Sequence, residues 1–600
     1  MTKTVGVLTW HAPESIEYAT WPKRKNEKPV WGITALPHVA MRAKRVFSRI
    51  ETSSTSTLYL TDGIGVAHEI EWFCQMFPLE MDADVRARLA QNASAHRERQ
   101  SAIDDILGGA SGHRVDLLMA PGMTPREYQS QFVDLLAQVH RLILGDATGV
   151  GKTITSALGF ALPGALPALV AMPTNLPPQW TARMQQLWPM LTVHTLKGTR
   201  PYDFKDVRAL KGHYPDILLT PYSRLAGWRY ALAGQVRTVV FDEVQNLRTG
   251  RSSDKGKAAG HLSDLATYVV GASATPAHNY GTEFFDVLDI INPGALGTRA
   301  EFLREWGGGS YGGHEMIRDP KAFGTYLRES GLMLARTRQD VGREIPAPVV
   351  EVITVDSDSR AFTEVSDDIA AIAARIVDDA TTNQDRFLLG GELDWKLRQA
   401  TGVAKAPYVA QHVIDLLNNG EEKVLLVGWH RAVYETWLHA LRPYGTVMYT
   451  GSESVKQKHN AVQEFLRPND EGGSRVLIMS HASGAGLDEL QKVCSVVVFG
   501  ELDWSPKVHS QIIDRLNRDG QESTVLAQYL VIEDGSDPKV IEVLGLKSDN
   551  TDPVMDPDVA LFEPVAVRND ADDSTPKGRV RDLAQSWLDR HPTSRKKAAA

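Results

Sequence analysis

Three groups of residues in this 600-residue chain have the types and spacing to handle a nucleoside triphosphate. The first is Gly145-Asp146-Ala147-Thr148-Gly149-Val150-Gly151-Lys152-Thr153, which follows the apolar run Leu142 to Leu144 and leads into a helical stretch. In such a loop, glycines let backbone N–H groups turn inward on phosphate oxygens, a lysine neutralises the β and γ oxygens, and a threonine hydroxyl reaches Mg²⁺. Thr148, Gly149, Val150, Gly151, Lys152 and Thr153 are therefore candidate nucleotide-binding residues, with Thr153 also a metal candidate. The place of the first glycine in the strict phosphate-loop pattern is held by Asp146.

The second group is Asp242-Glu243-Val244-Gln245, delivered by the apolar run Val239-Val240-Phe241. A strand ending in Asp-Glu can put Asp242 on a Mg²⁺ shell and Glu243 beside an attacking water as its general base. The third is the run from Gln511 to Gln521, which carries Arg515 and Arg518. Arginines three apart share a helical face and can reach across a cleft to a γ-phosphate. Such arginine fingers supply roughly 10³ or more in rate.

Positioning these groups requires strands that end beside one another. Short aliphatic runs at Leu142 to Leu144, Ala168 to Met172, Ile217 to Leu219, Val239 to Phe241 and Tyr268 to Val270 alternate with helical stretches. A second series follows at Lys423 to Val427, Thr446 to Tyr449, Val476 to Met479, Val496 to Phe499 and Val525 to Ile532. Nearly continuous apolar strands separated by helices predict parallel sheets covered on both faces, hence an α/β chain of two lobes. Ahead of them, Thr57 to Leu60 reads as a strand and Asp82 to Leu107 as a helix, an α+β accessory region with no legible chemistry.

Composition agrees with a folded protein: 42% hydrophobic, 23% charged and 8% aromatic residues exclude the disordered and collagenous classes. The net charge of −9 gives no overall attraction to nucleic acid, so binding there would need a local basic surface. Cys74 and Cys494 build neither a disulfide framework nor a four-cysteine zinc module, which suits a reducing compartment. The start Met1 to Val5 lacks the apolar core of a signal peptide. The uncharged stretch Thr153 to Ala182 is broken by Pro163, Gly164, Pro167 and Pro173, so it predicts helix, turn and buried strand and no membrane span. The expected location is intracellular and cytoplasmic, in a bacterial or virus-infected cell.

Several lookalikes fail on their own spacing. His68-Glu69 and His314-Glu315 begin like a helical zinc-protease motif, but Trp72 and Arg318 stand where the second histidine would be. Gly271 to Thr275 starts as a hydrolase nucleophile elbow and fails at its last residue. Gly307 to Gly309 with Gly312-Gly313 reads as a flexible loop. The tryptophans, among them Trp180, Trp188 and Trp504, read as core packing in preference to base stacking. Thr551 to Pro576 reads as an Asp- and Pro-rich linker, and Lys577 to Lys597 as a basic tail, solvated or phosphate-binding, around a short helix from Val580 to Leu588.

The three groups occur in order with Pro125-Arg126-Glu127-Tyr128-Gln129, Met172-Pro173-Thr174, Ser273-Ala274-Thr275-Pro276, Ile291-Asn292-Pro293-Gly294 and Leu334 to Val341. From about Thr124 to Leu546 this series resembles the Swi/Snf-type branch of superfamily II helicase-like ATPases. The resemblance implies two tandem RecA-like lobes with ATP between them and DNA across both. The implied boundaries are an accessory region over 1–115, lobe 1 over 116–345, lobe 2 over 346–546, and a linker and tail over 547–600. It makes Gln129 an adenine contact, explains the acidic Asp146 as a usual loop residue, adds Asp146 and Gln511 to the nucleotide set, and makes Arg515 and Arg518 the fingers. DNA contacts would come from Pro173, Thr174, Thr220 to Tyr222, Gly451, Ser452 and Ser480 to Gly484, His481 included, reading phosphates without sequence specificity.

Within the branch, Gly402-Val403-Ala404-Lys405-Ala406 resembles the annealing-helicase or HARP-like group. Three places depart from the branch: Gln245 where many members have histidine, Ser273-Ala274-Thr275 for Thr-Gly-Thr, and Asp488-Glu489 after Gly486-Leu487. The implied activity is that of an ATP- and Mg²⁺-dependent translocase on duplex or forked DNA. A strand-separating helicase, a restriction-type motor subunit and an ATP-gated DNA clamp with little turnover are the alternatives.

Overall fold

The computed structural model describes residues 4–17, 25–50, 56–109, 120, 122–174, 176–276, 282–311, 314–342, 346–358, 360–378, 383–481, 489–518, 520–546, 584–585 and 587–589. The linker and most of the basic tail lie outside these residues, as do Ala482 to Gly484, Asp488 and the Gly312-Gly313 pair.

The N-terminal region is an antiparallel meander of β1 (Gly6–His11), β2 (Val30–Ala35) and β3 (Leu58–Thr61). Three helices, Pro37–Val46, Ile64–Met76 and Ala83–Leu107, accompany it, and Trp31, Ile33, Phe47, Ile70 and Phe73 form its core. It is fastened to the neighbouring lobe by polar bonds. Arg49 pairs with Glu305 at 2.7 Å, Thr61 Oγ1 donates to Glu301 at 3.0 Å, and Gln100 Nε2 donates to the Glu329 carbonyl at 2.8 Å.

Helix α1 (Glu127–Val139) leads into lobe 1. Its strands are β4 (Arg141–Leu144), β5 (Ala168–Met172), β6 (Val193–Thr195), β7 (Ile217–Pro221), β8 (Thr238–Asp242) and β9 (Tyr268–Ala272). A small hairpin follows, β10 (Gly307–Tyr311) against β11 (His314–Ile317), and then the short β12 (Met333–Leu334). The glycine-rich segment is therefore antiparallel sheet where a loop was expected, because Ser310 and Tyr311 pair with Glu315 and His314. The main sheet runs β12-β4-β9-β8-β5-β7-β6, every pair parallel. Separate apolar cores cover its two faces, which is why β5, β7, β8 and β9 are buried at every residue.

Lobe 2 opens with β13 (Val349–Thr354) and holds β14 (Val424–Gly428), β15 (Thr446–Tyr449), β16 (Val476–Ser480), β17 (Val496–Phe499) and β18 (Leu526–Val531). Their order is β13-β18-β17-β14-β16-β15, again wholly parallel. Between β13 and β14 lie the helix Arg360–Val377 and the long helix α2 (Asn383–Asn418). The C-terminal piece is not simply a solvated tail: Trp587 and Leu588 are buried against this helical pair, with the Trp587 ring 5.8 Å from Phe362.

Lys405 of the Gly402–Ala406 run has a structural task. Its fully buried ammonium donates to Asp537 Oδ2 and to the Leu530 carbonyl, both at 2.6 Å, and so pins α2 to the end of β18. Removing one partner of such a pair strands the other as a buried charge. Lys405→Met should therefore destabilise lobe 2 by about 3–5 kcal/mol, and adding Asp537→Leu should recover much of the loss. Urea unfolding of the two variants checks this; equal losses would contradict it.

Candidate nucleotide site at the cleft between the lobes

The phosphate loop connects β4 to the short helix Lys152–Leu158. Gly149 and Gly151 have φ of +81° and +98°, the left-handed backbone that turns successive N–H groups to one side. Lys152 Nζ lies folded over the loop and donates to the carbonyls of Asp146 and Ala147 at 2.8 and 3.2 Å. Burial pushes its pKa below the usual lysine value, and the nearby charges of Glu243, Asp146, Asp242 and Asp514 oppose that fall.

Asp146 holds the loop from below. Its carboxylate is fully buried and takes a bidentate grip from Arg336, Nε to Oδ1 at 2.9 Å and Nη2 to Oδ2 at 2.6 Å. The expectation that Asp146 meets the nucleotide is corrected to that extent: both oxygens of its buried carboxylate are taken by Arg336, and its part is to fix the loop. Arg336 follows β12 and also donates to the Tyr128 carbonyl, while Tyr128 OH donates to the Val150 carbonyl at 2.7 Å. Gln129 sits beneath the same loop. Its Oε1 accepts from the Arg126 N–H at 3.0 Å, and its amide nitrogen lies 3.5 Å from Thr155 Oγ1 and from where a Cβ on Gly151 would stand. Thr153 is in the first turn of the loop helix, and Val150 is buried.

Asp242 and Glu243 stand at the carboxyl end of β8, which is separated from β4 by one strand. At the usual strand spacing the two strand ends are about 10 Å apart, room for a triphosphate and a metal ion between them. Glu243 has φ of +53°, so its side chain leaves the strand direction. Gln245 Nε2 donates to Glu243 Oε2 at 2.6 Å, which gives the departure from histidine a function: it orients the carboxylate. Trp180 Nε1 donates to Asp242 Oδ2 at 2.7 Å and the Glu243 N–H to Oδ1 at 3.1 Å. Trp180 is indeed core, yet it also touches the site.

Burial, then repulsion from Glu243, raises the Asp242 pKa to about 6 in spite of the Trp180 bond and the Lys152 charge. The buried Asp242 carboxylate, with the half-buried Glu243 next to it and the loop helix across the cleft, suits a divalent cation with phosphate, so Thr153 and Asp242 fit bound Mg²⁺.

Lobe 2 supplies the far wall. Helix α3 (Pro506–Leu516) carries Gln511 and Arg515, and Arg518 follows it. The Cβ of Arg518 is 3.5 Å from the position a Cβ on Gly149 would occupy, so the chain beyond α3 lies directly on the phosphate loop. Thr148 Oγ1 donates to Asp514 Oδ2, and Arg338 Nη2 donates to Asp514 Oδ1 at 3.0 Å while its Nε donates to the Thr148 carbonyl at 2.9 Å. Arg336, Arg338, Asp514 and Gln245 were given no part in the site from sequence, and Trp180 was given only core packing. The only signal for the first two was the matching run Leu334 to Val341.

The expected DNA-facing residues divide. Thr174, Gly451 and Ser452 are exposed, and Pro173 is half-buried. Thr220 and Tyr222 are buried, so neither side chain is free to meet DNA, and Tyr222 OH braces the site by donating to the Asp242 carbonyl at 2.8 Å. Ser480 and His481 are likewise buried; His481 Nδ1 bonds the Gly428 carbonyl at 3.0 Å, and burial lowers its pKa well below the ordinary value, leaving a neutral ring in place of a phosphate-binding cation.

With this geometry in view, residues 68–388 match the model of the SNF2-related domain, more than half of the chain, and 408–520 match the helicase conserved C-terminal domain. The chain belongs to the SNF2-related family. Its relatives include the bovine "SWI/SNF-related matrix-associated actin-dependent regulator of chromatin subfamily A-like protein 1", 26% identical over 71% of this chain and 44% of that protein. Another is the human "DNA annealing helicase and endonuclease ZRANB3", 24% identical over 68% of this chain and 38% of that protein. The SNF2-related chain thus spans roughly two fifths of the length of these two relatives. A solved Sulfolobus solfataricus SWI2/SNF2 ATPase core in complex with dsDNA aligns with a TM-score of 0.33 and 18% identity, over 72% of this chain and 93% of that one.

The raised Asp242 pKa fixes the sign of a stability effect. A carboxyl whose folded pKa, about 6, exceeds its unfolded value of 3.8 costs folding stability as pH rises through that interval and above it. In chelator, Asp242→Asn should therefore unfold at a higher temperature than the parent at pH 8, with the gap closing below pH 6 and gone near pH 4. Thermal unfolding across that range checks it.

Proposed function

We propose that this chain is an ATP-dependent DNA translocase that hydrolyses ATP between its lobes and moves on, or remodels, duplex or forked DNA without reading its sequence. The observation that carries the reading is the approach of Arg518 to Gly149, which brings a guanidinium-bearing segment of lobe 2 onto the phosphate loop of lobe 1. A triphosphate bound at such a seam draws the halves together, and its loss frees them.

Lys152 and the loop N–H groups bind the phosphates, and the resemblance assigns the adenine contact to Gln129. Glu243, oriented by Gln245, takes the proton of the attacking water. Arg515 and Arg518 meet the charge that develops on the γ-phosphate. Mg²⁺, held by Thr153 and Asp242, would neutralise phosphate charge there. The exposed Thr174, Gly451 and Ser452 offer hydroxyl and backbone donors to the DNA backbone.

Lys152→Ala should abolish DNA-stimulated ATP hydrolysis while the circular dichroism spectrum and unfolding temperature stay close to those of the parent. Steady-state hydrolysis with and without duplex DNA measures it. Turnover retained by the variant refutes the assignment, and a parent whose slow turnover DNA does not stimulate fits a clamp better than a motor.

A further inference from the structure

We infer that Arg338 is a positioning residue of the cleft, the tie that sets where the arginine segment of lobe 2 stands against the phosphate loop of lobe 1. The inference rests on the motor reading above. Arg338 follows β12 in lobe 1, yet its guanidinium reaches two elements at once. Nε donates to the Thr148 carbonyl at 2.9 Å and Nη2 to Asp514 Oδ1 at 3.0 Å. With the Asn517 amide oriented so that its nitrogen donates to the Pro346 carbonyl at 3.2 Å, its oxygen accepts from Arg338 Nη1 at 3.2 Å. Asp514 closes the circuit by accepting from Thr148 Oγ1 with its other oxygen.

All three guanidinium nitrogens are thus engaged, one on the loop and two on the lobe 2 segment that runs from Asp514 to Asn517. Arg515 lies between these anchors and Arg518 directly after them, so fixing Asp514 and Asn517 fixes the backbone from which both arginines extend. A planar fork with donors in set directions does this, and a lysine, a point charge on a flexible stem, reproduces only part of it. Arg338 also offsets the charge of Asp514. A bare carboxylate against the phosphate loop would repel a triphosphate, whereas the Asp514–Arg338 pair is neutral overall. The close packing leaves no slack, since a Cβ on Gly149 would lie 3.3 Å from Arg338 Nη2.

The test compares Arg338→Ala, Arg338→Lys, Asp514→Asn and the Arg338→Ala/Asp514→Asn double variant in the full chain. Read-outs are kcat and KM for ATP on duplex DNA, affinity for a fluorescent ADP analogue, and the unfolding temperature. Arg338→Ala should lose about 10- to 100-fold in kcat, the size expected when a catalytic group is displaced by about 1 Å. KM and ADP affinity should stay within about threefold, because the phosphate loop itself is intact. Arg338→Lys should regain part of the loss, and the double variant should fall no further than the worse single one.

An unchanged kcat in Arg338→Ala, with the parent active, overturns the inference and leaves the motor reading standing. So does a loss of ADP affinity that matches the loss of kcat, which would make Arg338 a direct nucleotide ligand. If Arg338→Ala does not fold, the lysine variant decides by the same two measures. A parent chain without ATPase activity refutes the motor reading and the inference with it.

Discussion

The buried pair between Asp146 and Arg336 is the constraint on which the cleft depends. A carboxylate with no exposure to water is tolerable only when a cation meets it with good geometry, and the two parallel bonds from Arg336 provide that. One partner lies in the loop after β4 and the other in the segment after β12, so the pair clamps the phosphate loop to the edge strand beside it. The backbone bond from Ala147 N–H to the Arg336 carbonyl at 2.8 Å extends the same seam. Two residues further on, Arg338 turns from this seam toward lobe 2. A single short edge segment therefore sets the shape of the loop on one side and its distance from the opposite lobe on the other.

The site combines two electrostatic regimes. Lys152, Asp242 and Glu243 are crowded together in a poorly hydrated place, where burial weakens the charged form of Lys152 and of Asp242 alike. Around them, neutral donors, Trp180 and Gln245, hold the carboxylates in place without cancelling their charge. An arrangement of this kind is poorly satisfied by protein alone and well satisfied by a phosphate and a cation arriving together, which is how an active site trades fold stability for affinity.

The sheets were legible because parallel strands buried on both faces leave an unbroken aliphatic signature. Ala168–Met172 and Val496–Phe499 agree with the observed strands to the residue, and so does the half-buried edge strand Thr446–Tyr449. The other edge strands were not: Met333–Leu334 is two residues long, Val193–Thr195 three, and Val349–Thr354 is largely exposed, so none stands out from its surroundings. At the site, features written in contiguous residues were readable as places in the fold: the loop after β4, Asp242-Glu243 at the end of β8, and the arginine-bearing segment of lobe 2 that lies against the loop. Arg336, Arg338, Trp180 and Asp514 were not, since their roles arise from partners 62 to 366 positions away. The DNA-edge expectations failed at Thr220, Tyr222, Ser480 and His481 for a related reason. A position at the end of a strand tells which edge a residue occupies, but β7 and β16 are covered on both faces, so the side chains at and just past their ends pack into the fold and do not face outward.

The N-terminal meander adds a geometric consequence. Its polar bonds through Arg49, Thr61 and Gln100 all end on lobe 1, at Glu305, Glu301 and Glu329. The N-terminal region is thus tied to the lobe that carries the phosphate loop, and in the proposed motor cycle it stands as the fixed jaw of a calliper whose sliding jaw is the second lobe. A ligand that bridged the meander and lobe 2 would have its length compared with the opening of the cleft at every turnover.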